Sequence, residues 1–380
     1  MSSSDRPPAS TGPRRLRLMV VDDSAYNRRN IADIFAGNPD VEVVGRAADG
    51  EEALRLATTL KPDVITLDLE MPRMDGFTFL RILMTRQPTP VIVVSSYSQK
   101  ENVFKALELG ALDFVAKSDR TISPDSTEVR QAILEKVLLV RNLRPAAVEG
   151  LARPGARRQT SPNVGPLGGG ELATPPPLPA VVRPALGPSI ARPRQLVAIA
   201  CSTGGPSALL EVVGRLPTNS TASFAIAQHM PDKFTRTFAE RLGRRGTIRV
   251  TEAQDGDVLA AGSGFVCPGR QCMEVVSIAG ELKLRVGSAT PTDRYVPSAD
   301  RLFKSAAAAA GSRLIAVILT GMGDDGTEGA KAVREAGGIV IAEAQETAVV
   351  YGMPGAAVRA GVVNEVLPLP QIAERLAKLV

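Results

Sequence analysis

The chain has one histidine in 380 residues, His229, and it directly follows the apolar run SFAIAQ. That order places an imidazole at the carboxyl end of a strand. Ser202 occupies the same kind of position after LVAIAC, and Thr203-Gly204-Gly205-Pro206 follows it, where a helix opens. Glycines let the chain turn sharply, and a helix N-terminus offers N–H groups and a positive dipole end to an oxyanion. Asp325, in GMGDDG after LIAVILT, stands at a third strand end, with Asp324 beside it as the competing carboxylate. Serine nucleophile, imidazole base and orienting carboxylate are the three parts of a hydrolytic triad. Two blander readings compete. A lone histidine is commonly structural, and a strand, Ser-Thr-Gly-Gly and a helix also outline a phosphate-binding loop. The loop matches neither G-x-x-x-x-G-K-[ST] nor G-x-G-x-x-G. It also departs from G-x-S-x-G, because Ala200 stands where the first glycine belongs. Cys201 precedes the serine, but along an extended strand its side chain points the other way, so it reads as core filler.

A second set of reactive side chains lies nearer the N-terminus. Asp22 and Asp23 follow LRLMVV, Asp68 follows DVITL, Ser95 lies in PVIVVSS and Lys117 ends DFVAK. In a parallel sheet these ends open on one edge, so three carboxylates converge beside a hydroxyl and an ammonium. Clustered carboxylates suit a hard divalent cation such as Mg²⁺, which keeps several waters and bridges to phosphate. A carboxylate held there can attack a phosphoryl donor. The new charge would then be met by the cation and Lys117.

Both sets need strands that end together, and the patterning supplies them. From Leu16 to Leu143 five apolar runs alternate with amphipathic stretches such as EEALRLATTL and NVFKALELGA. From Arg194 to Val380 a second alternation runs through LVAIACS, FAIAQH, LIAVILTG and IVIAEA, with a β-rich middle and a hairpin expected at Ala279-Gly280. The fold class expected is α/β, two doubly wound parallel-sheet domains, the second Rossmann-like with a β-rich insertion. Between them, residues 145–193 hold eleven prolines and seven glycines in 49 residues without hydrophobic periodicity. Such a stretch builds no packed core. The expected organisation is a disordered tail (1–15), a first domain (16–143), a linker (144–193) and a second domain (194–380).

Composition narrows the function classes. The net charge is +5, but between Arg141 and Arg194 eight arginines face two acids, so that stretch alone carries +6. The basic balance belongs to the linker, and nucleic-acid binding loses its support. No apolar run approaches the ~20 residues of a membrane span, so no membrane insertion is expected. Three cysteines without paired spacing point to a reducing cytoplasm.

The segments VVDDS, LDLEMPRMDG, VSS and VAKS make the first half resemble the receiver domain of two-component response regulators. The resemblance implies that Asp68 is the phosphoacceptor. It also implies that Asp23, Asp68 and the backbone carbonyl of Glu70 hold Mg²⁺, with Asp22 acting mainly through a metal-bound water. Ser95 would be the switch hydroxyl, Phe114 the switch aromatic and Lys117 the phosphate contact. The segments ACSTGGPSAL, AIAQHMP, RYVPSADRLFKSAA and VILTGMGDDG make the second half resemble the chemotaxis protein-glutamate methylesterases. That resemblance implies Ser202 as nucleophile, His229 as general base and Asp325, directly before Gly326, as its orienter. The Met322 N–H would help hold the oxyanion, and Thr203 would belong to the nucleophile loop. The implied substrates are glutamyl methyl esters, and selected glutamines, on the cytoplasmic helices of chemoreceptors. A histidine kinase is the implied phosphodonor, and phosphorylation would relieve occlusion of the esterase cleft. No cofactor is implied for the ester chemistry. A receiver coupled to a non-catalytic binding domain is the alternative of a different class.

Overall fold

In the computed structural model, residues 14–96, 99–117, 121–122, 126–144, 150 and 191–380 are described. Residues 1–13 of the expected tail, and nearly all of the expected linker, lie outside the described residues. Arg14 and Arg15, placed in the tail by the sequence, instead belong to the first domain, bonded to Asp63 and to the Pro39 carbonyl, each at 3.0 Å.

The first sheet holds β1 (Leu16–Val21), β2 (Val41–Ala47), β3 (Val64–Leu67), β4 (Val91–Ser96) and β5 (Asp113–Lys117), in the spatial order β2-β1-β3-β4-β5. All its pairings are parallel. Strands β3, β4 and β5 are buried on both faces, which is why they read as unbroken apolar runs rather than alternations. The helices α1 (Ala25–Ile34), α2 (Gly50–Leu60), α3 (Gly76–Arg86), α4 (Lys100–Glu108) and α5 (Thr127–Leu139) cover it. Asp49 and Asp75 start α2 and α3 by accepting N–H groups of their first turns, the usual work of an aspartate N-cap.

The second sheet is built from β6 (Leu196–Cys201), β7 (Ser223–Gln228), β8 (Arg249–Glu252), β9 (Ser263–Val266), β12 (Leu314–Ile318), β13 (Ile339–Glu343) and β14 (Glu365–Leu367). Its order is β14-β13-β12-β6-β7-β9-β8, parallel throughout. Between β9 and β12 the chain forms the antiparallel pair β10 (Gln271–Ile278) and β11 (Glu281–Ser288), closed at Ala279 and Gly280 with φ of 52° and 78°. Two successive positive φ values give the tight turn that matches strand twist. The remaining helices are α6 (Gly205–Val213), α7 (Asp232–Arg245), α8 (Ala299–Ala310), α9 (Thr327–Glu335), α10 (Met353–Arg359) and α11 (Leu369–Leu379).

After β6 the chain runs to one side of the sheet through β7, and from β12 it builds the other side. The crevice outside the carboxyl ends of β6 and β12 is therefore the topological switch point, where such sheets place their sites. The two halves also meet. Phe114 of β5 packs 4.6 Å from Phe234 of α7, and Phe104 of α4 stacks 5.5 Å from Phe238. These rings join one buried apolar cluster that crosses between the sheets.

Candidate active site

At the first sheet's carboxyl edge, carboxylate oxygens of Asp22, Asp23 and Asp68 lie within 4.8 Å of one another. Lys117 Nζ reaches Asp68 Oδ2 at 2.8 Å and Asp22 Oδ2 at 3.4 Å. Asp22 also accepts the Ser24 N–H at 2.9 Å. Burial, only partly offset by Lys117 and reinforced by Asp68, pushes the Asp22 pKa up to about 6. Burial alone would lower Lys117, but its two carboxylate partners together hold it above the ordinary lysine range. A divalent cation among these oxygens would offset the mutual repulsion of the carboxylates, so the donor set fits one. Ser95 donates to Gln99, and Glu70 donates its N–H to Asp68 Oδ1 at 3.3 Å. Phe114, 4% exposed, lies under the contact with Phe234 rather than in this pocket.

At the switch point of the second sheet, Ser202 leaves β6 with its N–H bonded to Thr320 O at 3.0 Å. Gly204 follows at φ +80°, and a Cβ there would lie 2.9 Å from the Val349 Cβ. Only glycine takes that turn in that space. His229 leaves β7 with its N–H on Cys201 O at 3.0 Å. Its Nε2 meets Asp325 Oδ2 at 2.8 Å. Nδ1 is then the ring nitrogen left for a serine proton. Asp325, 1% exposed, also accepts the N–H groups of Ala299 at 2.8 Å and Asp300 at 3.0 Å. Those are the first turn of α8, so a helix N-terminus fixes the carboxylate that holds the imidazole.

Asp324 does not reach His229. It takes the Tyr295 hydroxyl at 3.0 Å and Arg294 at 3.4 Å. Met322 lies in the turn after β12 with its side chain half exposed. Thr203 follows Ser202 in the turn after β6, and its hydroxyl donates across to Asp113 Oδ2 of the first half at 2.7 Å.

Two residues that carry the geometry have no role assigned by the sequence. Gln228, 1% exposed, donates its amide to both Ser202 O and His229 O at 3.0 Å, joining the two strand ends through one side chain. Tyr295 stacks on His229. Cys201 Sγ donates to Gln228 Oε1 at 3.0 Å, and burial lifts its thiol far above the usual range. Cys201→Ala is therefore expected to keep hydrolytic activity and to lose about 1 kcal/mol of stability. Loss of activity in a folded Cys201→Ala protein, read by ester turnover beside a thermal melt, would contradict that placement.

A parallel sheet that gathers carboxylates and a lysine at its edge, joined to one with Ser, His and Asp around its switch point, defines a response regulator fused to a hydrolase. The chain belongs to the CheB methylesterase family. A family model described as CheB methylesterase matches residues 197–376, and one described as response regulator receiver domain matches residues 18–122. The protein-glutamate methylesterase/protein-glutamine glutaminase 1 of Myxococcus xanthus is 46% identical over 364 residues, covering 96% of this chain and 97% of that protein. The corresponding protein 3 of Geobacter sulfurreducens is 44% identical over 363 residues, covering 96% and 97%. The solved CheB methylesterase catalytic domain of Thermotoga maritima is 39% identical, covers 49% of this chain and 98% of that one, with a TM-score of 0.48. Among the described residues no helix is long and apolar enough to cross a membrane.

Proposed function

We propose that this hydrolase removes methyl groups from glutamyl methyl esters on chemoreceptor helices in the cytoplasm, and deamidates selected receptor glutamines, under control of its receiver domain. Ser202 Oγ attacks the ester carbonyl while His229 takes its proton through Nδ1 and Asp325 keeps the ring in register. The Met322 N–H receives the oxyanion. Collapse expels methanol, the proton returning through His229. Water then attacks the acyl-enzyme by the same route and restores glutamate. A primary amide passes through the same oxyanion and releases ammonia instead.

In the receiver, Asp68 is the phosphoacceptor for a histidine kinase. Asp23, Asp68 and the Glu70 carbonyl would hold Mg²⁺, with Asp22 supporting the site through water. The ion, when bound, supplies charge neutralisation at the phosphoryl group. Lys117 meets the phosphoryl oxygens, and Ser95 and Phe114 pass the change to the α4–β5 face. That face is the one packed on the hydrolase: Arg241 bonds Glu108 at 3.0 Å, and Thr203, next to the nucleophile, bonds Asp113. Phosphorylation loosens this contact and uncovers the cleft. The division into receiver, linker and hydrolase at residues 143 and 194 belongs to the same proposal.

The observation that carries this reading is the chain's only histidine, at the end of β7, bonded to a buried carboxylate and tied through Gln228 to the Ser202 main chain. Methanol release from methylated receptor membranes tests it. Wild-type protein should release methanol, faster with a small-molecule phosphodonor, and Ser202→Ala should release none. Equal release by both would end the proposal.

A further inference from the structure

Asp325 holds the imidazole of His229 by one edge. A ring fixed at one edge can still rock out of plane, and the structure puts a second ring against its face. The Tyr295 and His229 ring centroids are 5.4 Å apart and their planes 7° from parallel. Tyr295 is itself anchored. Its hydroxyl donates to Asp324 Oδ1 at 3.0 Å, and Arg294 pairs with the other oxygen of Asp324 while lying 5.4 Å from the phenol ring centre. The turn that carries both aspartates is shaped to the phenol. Gly323 has φ +89°, and a Cβ there would stand 2.5 Å from the Tyr295 hydroxyl oxygen. Burial and the bond to Asp324 both raise the Tyr295 pKa, so the hydroxyl stays a donor.

We infer that Tyr295 is a positioning residue for the hydrolysis: it holds the imidazole by its face as Asp325 holds it by its edge, and Asp324 acts through the phenol. Consecutive carboxylates thus serve one histidine by two routes. The inference rests on the reading of Ser202, His229 and Asp325 as the hydrolytic site. Its physical basis is that His229 becomes a cation as it takes the serine proton. The electron-rich face of a phenol attracts a cation more than a neutral ring. The contact therefore strengthens toward the transition state, which is where a contact raises kcat rather than lowering KM.

The test uses full-length protein with methylated receptor membranes, and NMR of the ring protons of its single histidine. Tyr295→Leu should lower kcat about fivefold with little change in KM. Tyr295→Phe, which keeps the ring, should restore most of kcat. Loss of the stacked ring should move the histidine ring protons downfield in the leucine variant, whereas the phenylalanine variant, which keeps the ring and loses only its bond to Asp324, should move a small part of that way. A folded leucine variant with wild-type kcat, or with unmoved histidine signals, overturns the inference. If the leucine variant does not fold, Asp324→Asn decides, since it weakens the anchor of the hydroxyl. It should lower kcat about twofold with a smaller downfield movement than the leucine variant shows, and no change in either overturns the inference. Ser202→Ala run alongside separates the two readings. Hydrolysis surviving there sinks the site itself, while an inactive Ser202→Ala beside an unaffected Tyr295→Leu sinks only the role of Tyr295.

Discussion

Ser202→Ala and His229→Ala should each cut ester hydrolysis by roughly a thousandfold or more. Neither side chain is part of the buried apolar core, so both variants should fold. Triad members act as a unit, so the double variant should be little worse than either single one. Asp325 calls for a gentler change. Its carboxylate accepts two N–H groups at the start of α8 as well as bonding His229. Asp325→Ala would therefore leave those two N–H groups without their acceptor, costing about 1–2 kcal/mol, and mix instability with lost chemistry. Asp325→Asn keeps an acceptor for that helix and should still lose most of the activity. Ester turnover with matched thermal melts reads all four. Near-wild-type turnover in His229→Ala would remove the assignment, because no second histidine exists to take over.

The second large effect concerns regulation. The fragment from Arg194 to Val380 should hydrolyse ester without any phosphodonor, and the unphosphorylated full-length protein should be slower than the fragment. Arg241 offers a sharper tool than truncation. Its guanidinium, partly exposed between the halves, faces both Glu101 and Glu108 of α4. Arg241→Glu turns two attractions into repulsions, each worth about 0.5–1 kcal/mol at a partly exposed site. A docked state held by a modest margin should then open, raising basal hydrolysis by about tenfold. Asp68→Asn should stay at the low level with or without phosphodonor, and adding Arg241→Glu to it should restore the high level. If the fragment were inactive while phosphorylated full-length protein was active, the receiver would be completing the site rather than covering it.

The strand-end residues were legible because a parallel sheet writes its site into local order: an apolar run, then the reactive side chain, then a turn. Ser202 and His229, with Asp22, Asp68 and Lys117, all carry that signature, and the glycines after Ser202 and Asp325 mark the sharp turns. The hairpin at Ala279-Gly280 was legible from its turn chemistry. Other partners leave no such trace. Gln228 reads as one more polar residue closing a strand, though its amide ties two main chains together. Tyr295 stands in a Thr/Pro-rich stretch with no helical or strand period. Within RYVPSADRLFKSAA it marks a resemblance without announcing that its ring lies on His229. The bond from Thr203 to Asp113, and the contact of Phe114 with Phe234, join residues far apart in the chain. Contacts of that kind are set by how two finished surfaces meet, and periodicity within either half does not encode them.

The most direct measurement is covalent trapping. Full-length protein is incubated with a fluorophosphonate ester, with and without a phosphodonor for Asp68, and the adduct is located by mass spectrometry. The adduct should sit on Ser202, form several-fold faster with the phosphodonor, and be nearly absent in His229→Ala. An adduct on another residue, or Ser202 labelling that persists without His229 at the wild-type rate, would contradict a histidine-activated serine at this switch point. Labelling indifferent to the phosphodonor would contradict control by the receiver.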